Sequence, residues 1–500
     1  MINALSDWLD HRTGYKNLVH EALNEPIPGG ARWWYVWGST LSFVFLVQVI
    51  TGFFLWSAYS PSTLTAWESV YYIEHVMDYG WLVRGIHHFA AQAMVVLLAM
   101  HFIQIVWDGA YKAPREVNFW LGLILMQIVL GLALTGYLLP WDQKGYYATQ
   151  VATKIASVTP LIGPQIQAWV QGGPSYGHHT LTRFFALHAG VLPALLVLFL
   201  GLHIYVFRRH GITTPDAKAA PGTFWPDQVL KDAVACLVVL AVILFFVVWK
   251  GAELSAPADP AEEYPARPEW YFLFLFRFLK FEEIAQYGEA MGAIYIPGLI
   301  MAVIALMPFI ARIKGGHWFN VLFMLSLILG AGTLTVVAMR EDQADAEFQG
   351  KLKFAERDAH RVVELAEREG IPPLGARELM TDDSYTQGPR LFARHCAGCH
   401  RYDGHDGMEV PKLKEVLVEG KKQKVVEPAT AADLGDFGSR EWLQKVLVDY
   451  HGVFAPLGSE LAVASYGEKG PGFLAGDMAN WSNDNKVALE DPANVDSLKA

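Results

Sequence analysis

Cysteine is scarce in this chain of 500 residues, which contains only Cys236, Cys396 and Cys399. Cys236 lies inside an apolar run, where a cysteine usually behaves as a small core residue. A framework of several disulfides, which stabilises many small secreted proteins, is therefore excluded. An excess of positive charge is also missing, because the formal net charge is −11. Nucleic-acid binding depends on basic residues that neutralise phosphates, so we expect no nucleic-acid partner.

Charged residues are sparse between positions 33 and 340, and the chain as a whole is 53% hydrophobic. A helix that crosses a bilayer needs roughly 20 apolar residues. Seven stretches meet this requirement, at about 33–58, 84–107, 117–139, 183–207, 229–250, 293–313 and 319–339. The sequence therefore predicts an all-α fold, with a polytopic bundle of seven transmembrane helices in a lipid membrane followed by a more polar tail.

Basic residues cluster in the loops that follow the second, fourth and sixth segments: Lys112, Arg115, Arg208, Arg209, Arg312 and Lys314. The alternate loops are acidic or mixed. Loops rich in lysine and arginine stay on the cytoplasmic side, so we expect a cytoplasmic N-terminus and an outer, periplasmic tail in a bacterial cytoplasmic membrane. The first 30 residues show no cleavable signal pattern. Export of the tail is therefore expected to rely on the transmembrane segments.

Two apolar segments each carry a pair of histidines. His87 and His101 are 14 residues apart, and His188 and His203 are 15 apart. Fourteen residues span roughly 21 Å and nearly four whole helical turns, which places both rings on one face. Intramembrane histidines usually face a cofactor or the bundle interior. The spacing predicts two bis-histidine sites for non-covalent haem b, with His87 and His188 at the outer site and His101 and His203 at the inner one.

Glycines repeat this spacing on the neighbouring segments, with Gly38 and Gly52 on the first and Gly122 and Gly136 on the third. Small residues allow the close approach of a flat ring. Arg84 and Arg183 precede the outer histidines and are candidates for binding haem propionates. His88 competes with His87, but its 13-residue spacing to His101 fits a shared face less well. For a single membrane histidine, a packing role is an equally good explanation.

The tail contains Cys396-Ala397-Gly398-Cys399-His400, the pattern for covalent attachment of a c-type haem. Cys396 and Cys399 would bind the porphyrin and His400 the iron. Enzymes that attach this haem in bacteria work on the outer side of the membrane, where the charge pattern also places the tail. The sequence therefore predicts three haems in one chain.

Pro268-Glu269-Trp270-Tyr271 is the PEWY signature of cytochrome b. With the histidine pairs, residues from about 20 to 340 resemble the cytochrome b subunit of the cytochrome bc complexes, which oxidise quinol and reduce cytochrome c or plastocyanin. Residues 141–147 also look like the segment that follows the third helix in this family. The seven helices and the 15-residue spacing resemble the chloroplast-type and Gram-positive proteins, in which the two parts are separate chains. Val36 replaces the cysteine that would bind an extra haem there.

Residues 385–485 resemble a class I c-type cytochrome, with Gly388-Pro389-Arg390-Leu391-Phe392 in its first helix. The resemblance implies a distal methionine ligand, for which Met478 is the candidate. Met408 and His405 follow His400 too closely. The predicted domains are 1–212 for the dihaem four-helix bundle, 213–340 for the three-helix part with PEWY, 341–384 for a charged, solvated helical linker, and 385–500 for a small α-helical cytochrome c domain.

The resemblance implies a Q-cycle with proton translocation. Quinol would be oxidised at an outer pocket, and quinone reduced at an inner one after electrons cross the two b haems. It also implies a Rieske iron–sulfur partner, other complex subunits, a homodimer of the complex, and a soluble cytochrome c or similar acceptor that is reduced through the fused c haem.

Three residues are candidates for the proton chemistry. Glu269 would accept a proton from quinol, because burial in an apolar loop raises a carboxyl pKa toward a useful range. Tyr271 would hydrogen-bond the same ligand. Asp232, at the start of the fifth helix, would protonate a reduced quinone. Each has a structural alternative, since Glu269 can pair with Arg267 and an aspartate favours the N-terminus of a helix.

Two other functions use similar features. A dihaem membrane anchor of a dehydrogenase or hydrogenase also has paired membrane histidines, but it needs neither PEWY nor the last three helices. A haem sensor or simple electron-transfer module would use the tail as a binding domain. Absence of a Rieske partner from the purified complex would favour this last possibility.

Overall fold

The computed structural model describes residues 2–214, 220–418, 421–435, 440–450 and 476–485, with the single residues 488, 491, 494 and 497. The chain is mostly helical there and divides into two compact units. The first unit holds residues 1–254 and 267–338, and the second holds residues 255–266 and 339–500.

The helices of the first unit are α1 Ile2–Thr13, α2 Tyr15–Leu23, α3 Trp37–Ala58, α4 Ala66–Tyr71, α5 Gly80–Trp107, α6 Glu116–Tyr137, α7 Gln143–Ser157, α8 Gly163–Gln171, α9 His178–His210, α10 Phe224–Trp249, α11 Leu273–Phe278, α12 Glu282–Ala285, α13 Met291–Ile310 and α14 Gly316–Ala344. The last residues of α14, from Met339 on, belong to the second unit. Short 3₁₀ turns span Trp33–Tyr35 and Trp270–Phe272. Strands β1 Pro26–Ile27 and β2 Gly222–Thr223 form an antiparallel pair.

Seven of these helices are long and apolar enough to cross a membrane: α3, α5, α6, α9, α10, α13 and α14. They correspond to the seven predicted segments, so that prediction is confirmed. Side chains such as Phe53, Val248 and Leu329 remain exposed in the isolated chain. Large apolar side chains on this outer surface are what a lipid environment requires, and the chain is an integral membrane protein.

The core of the bundle lies where α3 packs on α5 and α6 packs on α9. Helix α10 adds Ile243 and Val247 to this core. At one end of the bundle, which carries the PEWY sequence and is called the PEWY end below, Asp142 caps α7 by accepting a hydrogen bond from Gly145 N at 2.8 Å. At the opposite end, buried Asn320 donates hydrogen bonds to the Tyr111 hydroxyl and to the carbonyl of Met307.

The helices of the second unit are α15 Ala346–Glu369, α16 Arg377–Thr381, α17 Ser384–His395, α18 Arg440–Val448 and α19 Asp477–Asp484. Strands β3 Leu413–Val418 and β4 Lys421–Val426 form an antiparallel hairpin. The hairpin differs from the purely α-helical tail that the sequence predicts. The carboxylate of Asp383 caps α17 and also binds the guanidinium of Arg361.

Helix α15 occupies the segment for which the sequence predicts a solvated linker. It is helical and ends before Pro372, as expected, but one face is buried through Phe354, Val362 and Leu365. These apolar residues recur at helical spacing among many charges, and that face belongs to the core of the second unit.

Residues 255–266, called the strap below, connect α10 toward the PEWY sequence but pack as part of the second unit. Ala256 and Ala258 are buried. The strap is acidic, and its carboxylates pair with basic residues of α15, α16 and α17.

Candidate functional site

His87 on α5 and His188 on α9 face each other at the PEWY end, with ring centroids 6.3 Å apart. Two imidazoles that bind one iron through nitrogens ~2 Å from the metal place their centroids roughly 6 Å apart. The gap between these rings therefore suits a single bis-histidine iron. We call them the PEWY-end pair, and His101 with His203 the opposite-end pair.

Each of the four predicted glycines faces one of the four histidines. A methyl group on the glycine would lie at these distances from the Cε1 atom of the ring: 2.6 Å for Gly136 and His188, 3.2 Å for Gly52 and His87, 3.4 Å for Gly122 and His203, and 3.6 Å for Gly38 and His101. The missing side chains thus make room for the imidazoles themselves. The glycines that face His87 and His188 lie at the PEWY end, and those that face His101 and His203 lie at the opposite end.

Hydrogen bonds fix which nitrogen of the imidazole is available at three of these positions. His188 Nδ1 lies 3.0 Å from the carbonyl of Leu132, and His203 Nδ1 lies 3.0 Å from that of Asn118. Because a carbonyl can only accept, each Nδ1 carries the proton and each Nε2 keeps its lone pair for a metal.

His87 is held by a side chain instead. Its Nδ1 lies 2.9 Å from the hydroxyl of Thr51, which donates its own proton to the carbonyl of Val47 at 2.7 Å. The hydroxyl oxygen therefore accepts from Nδ1, and Nε2 is again free. The sequence analysis did not identify Thr51 as a partner of His87. Its position directly before Gly52, one of the predicted glycines, could have indicated this role.

The two arginines near the PEWY-end pair bind protein groups. Arg84 forms an ion pair with Glu74 at 2.8 Å and donates to the carbonyls of Ala252 and Glu253. Arg183 donates to the carbonyl of Trp169. Both lie close in sequence to the predicted haem ligands, and a propionate would have to share them with these partners.

Glu269 is the largely buried acid of the PEWY sequence, with 13% of its side chain exposed. Its Oε1 lies 3.7 Å from Lys144 Nζ and makes no hydrogen bond to any described residue. Lys144 also lies 3.8 Å from Glu253. Glu269 thus has a buried carboxylate oxygen that makes no hydrogen bond to a described residue and lies near the ammonium group of Lys144.

Tyr271 follows in a mostly buried position. Burial, reinforced by the negative charge of Glu269, raises the pKa of the Tyr271 hydroxyl above its ordinary value. This hydroxyl therefore remains a hydrogen-bond donor at physiological pH. The neighbouring Trp270 donates its indole N–H to Gln92 Oε1 at 3.2 Å.

His87 faces His188 on α9, whereas His88 contacts a residue of its own helix. Its Nε2 lies 2.8 Å from Gln92 Nε2, so Gln92 connects it to Trp270 of the PEWY sequence. Gln92 is a polar residue one turn after His88 in an apolar helix, which is a signal that sequence reasoning did not use. His178 and His179 are exposed.

Asp232 lies at the opposite end, in the first turns of α10. Gln228 donates to Asp232 Oδ1 at 2.8 Å, and Gln228 Oε1 accepts a hydrogen bond from the backbone N–H of Arg32 at 2.9 Å. The carboxylate is therefore held by a neutral amide, whereas Glu269 at the PEWY end has a cationic neighbour.

The CxxCH sequence follows α17 in the second unit. Cys396 and Cys399 are free thiols, and burial together with Cys399 raises the pKa of Cys396 to about 11. His400 is buried, with Nδ1 2.8 Å from the carbonyl of Ala432. Its Nε2 is buried with no hydrogen-bond partner among the described residues. A buried, unpaired nitrogen beside two free thiols fits covalent haem c.

Met478 lies on α19, where it packs partly buried against Val446, Tyr450 and Ala479. On the next turn of the same helix, the ring centroid of Trp481 lies 6.1 Å from that of His395, the residue before Cys396. The helix of the predicted distal ligand thus contacts the helix that leads into CxxCH.

Known proteins resemble part of this chain. Residues 22–211 match the family described as cytochrome b/b6/petB. The menaquinol:cytochrome c reductase cytochrome b subunit of Geobacillus thermodenitrificans is 39% identical over 223 residues, which are 43% of this chain and 100% of that protein. Cytochrome b of Rhodobacter capsulatus is 31% identical over 317 residues, which are 60% of this chain and 71% of that one. A chain from the structure of a hyperthermophilic respiratory Complex III aligns with a TM-score of 0.58 and 26% identity, covering 71% of this chain and 95% of that chain.

Proposed function

Because this chain belongs to the cytochrome b family of quinol-oxidising bc complexes, we propose that it binds quinol at the PEWY end and quinone at the opposite end. We further propose that its tail carries a c haem that delivers electrons to a soluble cytochrome c or similar acceptor. A Rieske iron–sulfur protein, other subunits and a second copy of the complex complete this assembly. The PEWY end and the tail face the outer side of a bacterial cytoplasmic membrane.

The reciprocal fit of four glycines to four histidines is the observation that carries this proposal. It supports two histidine pairs seated against glycines, one at each end of the bundle, and the 6.3 Å between the ring centroids of His87 and His188 suits one iron. His87 and His188 would hold one haem b, His101 and His203 the other, and Cys396, Cys399, His400 and Met478 the haem c. When bound, these groups supply one-electron redox chemistry along the chain.

Glu269 and Tyr271 perform the proton chemistry at the PEWY end. The buried Oε1 of Glu269, which lies 3.7 Å from Lys144 Nζ and makes no hydrogen bond to a described residue, accepts the quinol proton. The protonated hydroxyl of Tyr271 donates a hydrogen bond to the same ligand. Positioned acids and bases of this kind contribute roughly 10²–10⁴-fold to a rate.

Asp232 has the complementary role at the opposite end. The amide of Gln228 orients its carboxyl group, and Arg32 in turn orients Gln228. Asp232 would deliver a proton to a reduced quinone.

Redox-resolved absorption spectra and a pyridine haemochrome assay of the purified protein test the proposal. We expect two b haems for each covalent c haem, with b haems that are reduced by a short-chain quinol. His188→Leu should remove one b haem, whereas His178→Leu, which changes an exposed histidine on the same helix, should remove none. Cys396→Ala should abolish covalent haem, and Cys236→Ala should leave it intact.

A single b haem in the unaltered protein would contradict the histidine assignment. Two b haems that quinol does not reduce would instead favour a membrane anchor of a dehydrogenase or hydrogenase. Absence of covalent haem would restrict the proposal to the membrane bundle.

A further inference from the structure

Gln92 on α5 lies between a histidine of its own helix and the tryptophan of the PEWY sequence. Trp270 donates its indole N–H to Gln92 Oε1 at 3.2 Å, and Gln92 Nε2 lies 2.8 Å from His88 Nε2. His88 and Gln92 are four positions apart, a spacing that places two side chains on the same face of a helix. All three residues belong to the first unit. They therefore form one continuous chain of hydrogen bonds within the membrane bundle.

The chemistry of the three side chains allows only one direction for these bonds. An indole N–H can only donate, so it requires the carbonyl oxygen of the Gln92 amide. The amide nitrogen then faces His88 and donates to its Nε2, which places the ring proton on Nδ1. His88 thus fixes the orientation of the amide, because a Gln92 amide turned by a half rotation would present its NH2 group to the indole of Trp270.

Packing does not enclose the ring of Trp270, which is 39% exposed in the isolated chain. The ring of His88, by contrast, lies against that of Phe89, with centroids 4.8 Å apart, and Phe89 is buried in the core of the bundle. The hydrogen bond to Gln92 therefore ties a partly exposed indole to a regular helix that is packed into this core.

Trp270 stands between Glu269 and Tyr271, the two residues assigned to the proton chemistry. Trp270–Phe272 form a 3₁₀ turn, and the backbone N–H of Phe272 donates to the carbonyl of Glu269 at 2.8 Å. The ring of Tyr271 lies edge-on to that of Trp270, with centroids 5.5 Å apart. A rotation of this turn would displace Glu269 and Tyr271 together, so an anchor on the residue between them restrains both.

From these contacts we propose that Gln92 is a positioning residue for the quinol site, and that His88 supports it by fixing the direction of its amide. The inference rests on the proposed function, which assigns quinol binding to the PEWY sequence. Gln92 holds the indole of Trp270, and the turn then presents Glu269 and Tyr271 to the ligand. His88, next to the predicted haem ligand His87, acts on the quinol site without binding iron.

Gln92→Leu in the full complex tests this, because it removes both hydrogen bonds at nearly constant size. We expect kcat/KM for a short-chain quinol to fall roughly fivefold, as the loss of one neutral hydrogen bond predicts. Amide hydrogen exchange in residues 269–272 should accelerate by a similar factor. The number of b haems and their reduction potentials should stay unchanged. Gln127→Leu makes the same change at an exposed position of α6 and should alter none of these quantities.

A double-mutant cycle isolates the bond to Trp270. Trp270→Phe removes the indole N–H, keeps an aromatic ring and should also lower kcat/KM roughly fivefold. If the two side chains act through their hydrogen bond, the variant that combines Trp270→Phe with Gln92→Leu should be about as slow as either single variant, and not about 25-fold slower than the unaltered protein. His88→Phe keeps a ring beside Phe89 and should cause a smaller loss, roughly twofold, with both b haems retained.

An unchanged kcat/KM in Gln92→Leu, or effects of Gln92→Leu and Trp270→Phe that multiply, would overturn the proposal. Shifted potentials or loss of b haem in Gln92→Leu would also overturn it, because Gln92 would then act on the haem-binding helix. Loss of a b haem in His88→Phe would remove the role given to His88. If quinol fails to reduce the unaltered protein, the proposed function fails, and the exchange of residues 269–272 then decides whether Gln92 holds the turn.

Discussion

At both ends of the membrane bundle, glycines face the rings of a histidine pair, but the space between glycine and ring differs between the ends. An added methyl group would lie 2.6 Å and 3.2 Å from the rings of the PEWY-end pair, but 3.4 Å and 3.6 Å from those of the opposite-end pair. Contacts below about 3 Å require a neighbour to move, and cores resist such movement. Equal spacing of glycines in a sequence therefore does not mean equal steric demand in the fold.

The polar contacts of the histidines and of the nearby acids also differ between the two ends. At the PEWY end, the hydroxyl of Thr51 holds His87, and the acid Glu269 lies beside Lys144. At the opposite end, a backbone carbonyl holds His203, and the acid Asp232 is bound by the neutral amide of Gln228. The PEWY end therefore has one histidine held by a side chain and one, His188, held by the carbonyl of Leu132. Its acid has a cationic neighbour, whereas the acid at the opposite end has an uncharged one. We expect the PEWY end to be the more sensitive to substitution.

The largest difference should appear in the proton chemistry. Glu269→Gln removes the proton acceptor while keeping the shape of the side chain, and we expect quinol-driven reduction of b haem to slow roughly 100-fold. Asp232→Asn acts at the opposite end and should leave that first reduction close to its original rate. Stopped-flow absorption of the b haems measures both. Equal slowing by the two variants would contradict the assignment of quinol oxidation to the PEWY end.

Haem retention should show the next largest difference. Gly136→Ala forces a methyl group against the ring of His188, so we expect the purified variant to lose most of one b haem. Gly38→Ala meets His101 at an ordinary contact distance and should retain both haems. The pyridine haemochrome assay counts them. Loss of the same amount of haem in the two variants would mean that the clearances do not control binding.

The smallest effect should be electronic. Thr51→Val removes the hydrogen bond that His87 Nδ1 donates, which makes the imidazole a weaker donor to iron. The reduction potential of one b haem should therefore rise. Thr135→Val is the matched control, because Thr135 lies 3.3 Å from His188 Nδ1 while the carbonyl of Leu132 remains at 3.0 Å. Redox titration separates the two variants, and a shift of equal size in both would remove the role assigned to Thr51.

The sequence predicted the seven helices because their apolar length is a local property. It also identified four glycines at the spacing of the histidines, since that spacing is read directly from the sequence. The ion pair between Lys144 and Glu269 was beyond such reasoning, because 125 positions separate the two residues and only tertiary packing brings them together.

Helix α15 shows a different limit. Its charges dominate its composition, and they indicate a solvated segment when taken together. Phe354, Val362 and Leu365 are nevertheless buried on one face of the helix. That face is recognised only when the sequence is read with the 3.6-residue period of a helix. The β3–β4 hairpin and the strap contacts had no local signal strong enough to predict them.

The composition of the second unit has a consequence for how such a gene can be divided. The unit is built from two separate stretches of chain, because residues 255–266 lie between two membrane helices while residues 339–500 follow the last one. Splitting the gene after position 338 would place the two stretches on different polypeptides, and the excised tail would have to recapture the strap by intermolecular association. A cut at position 385 would be worse, since it would also discard α15 and its apolar stripe. The second unit is therefore interleaved with the membrane part along the sequence.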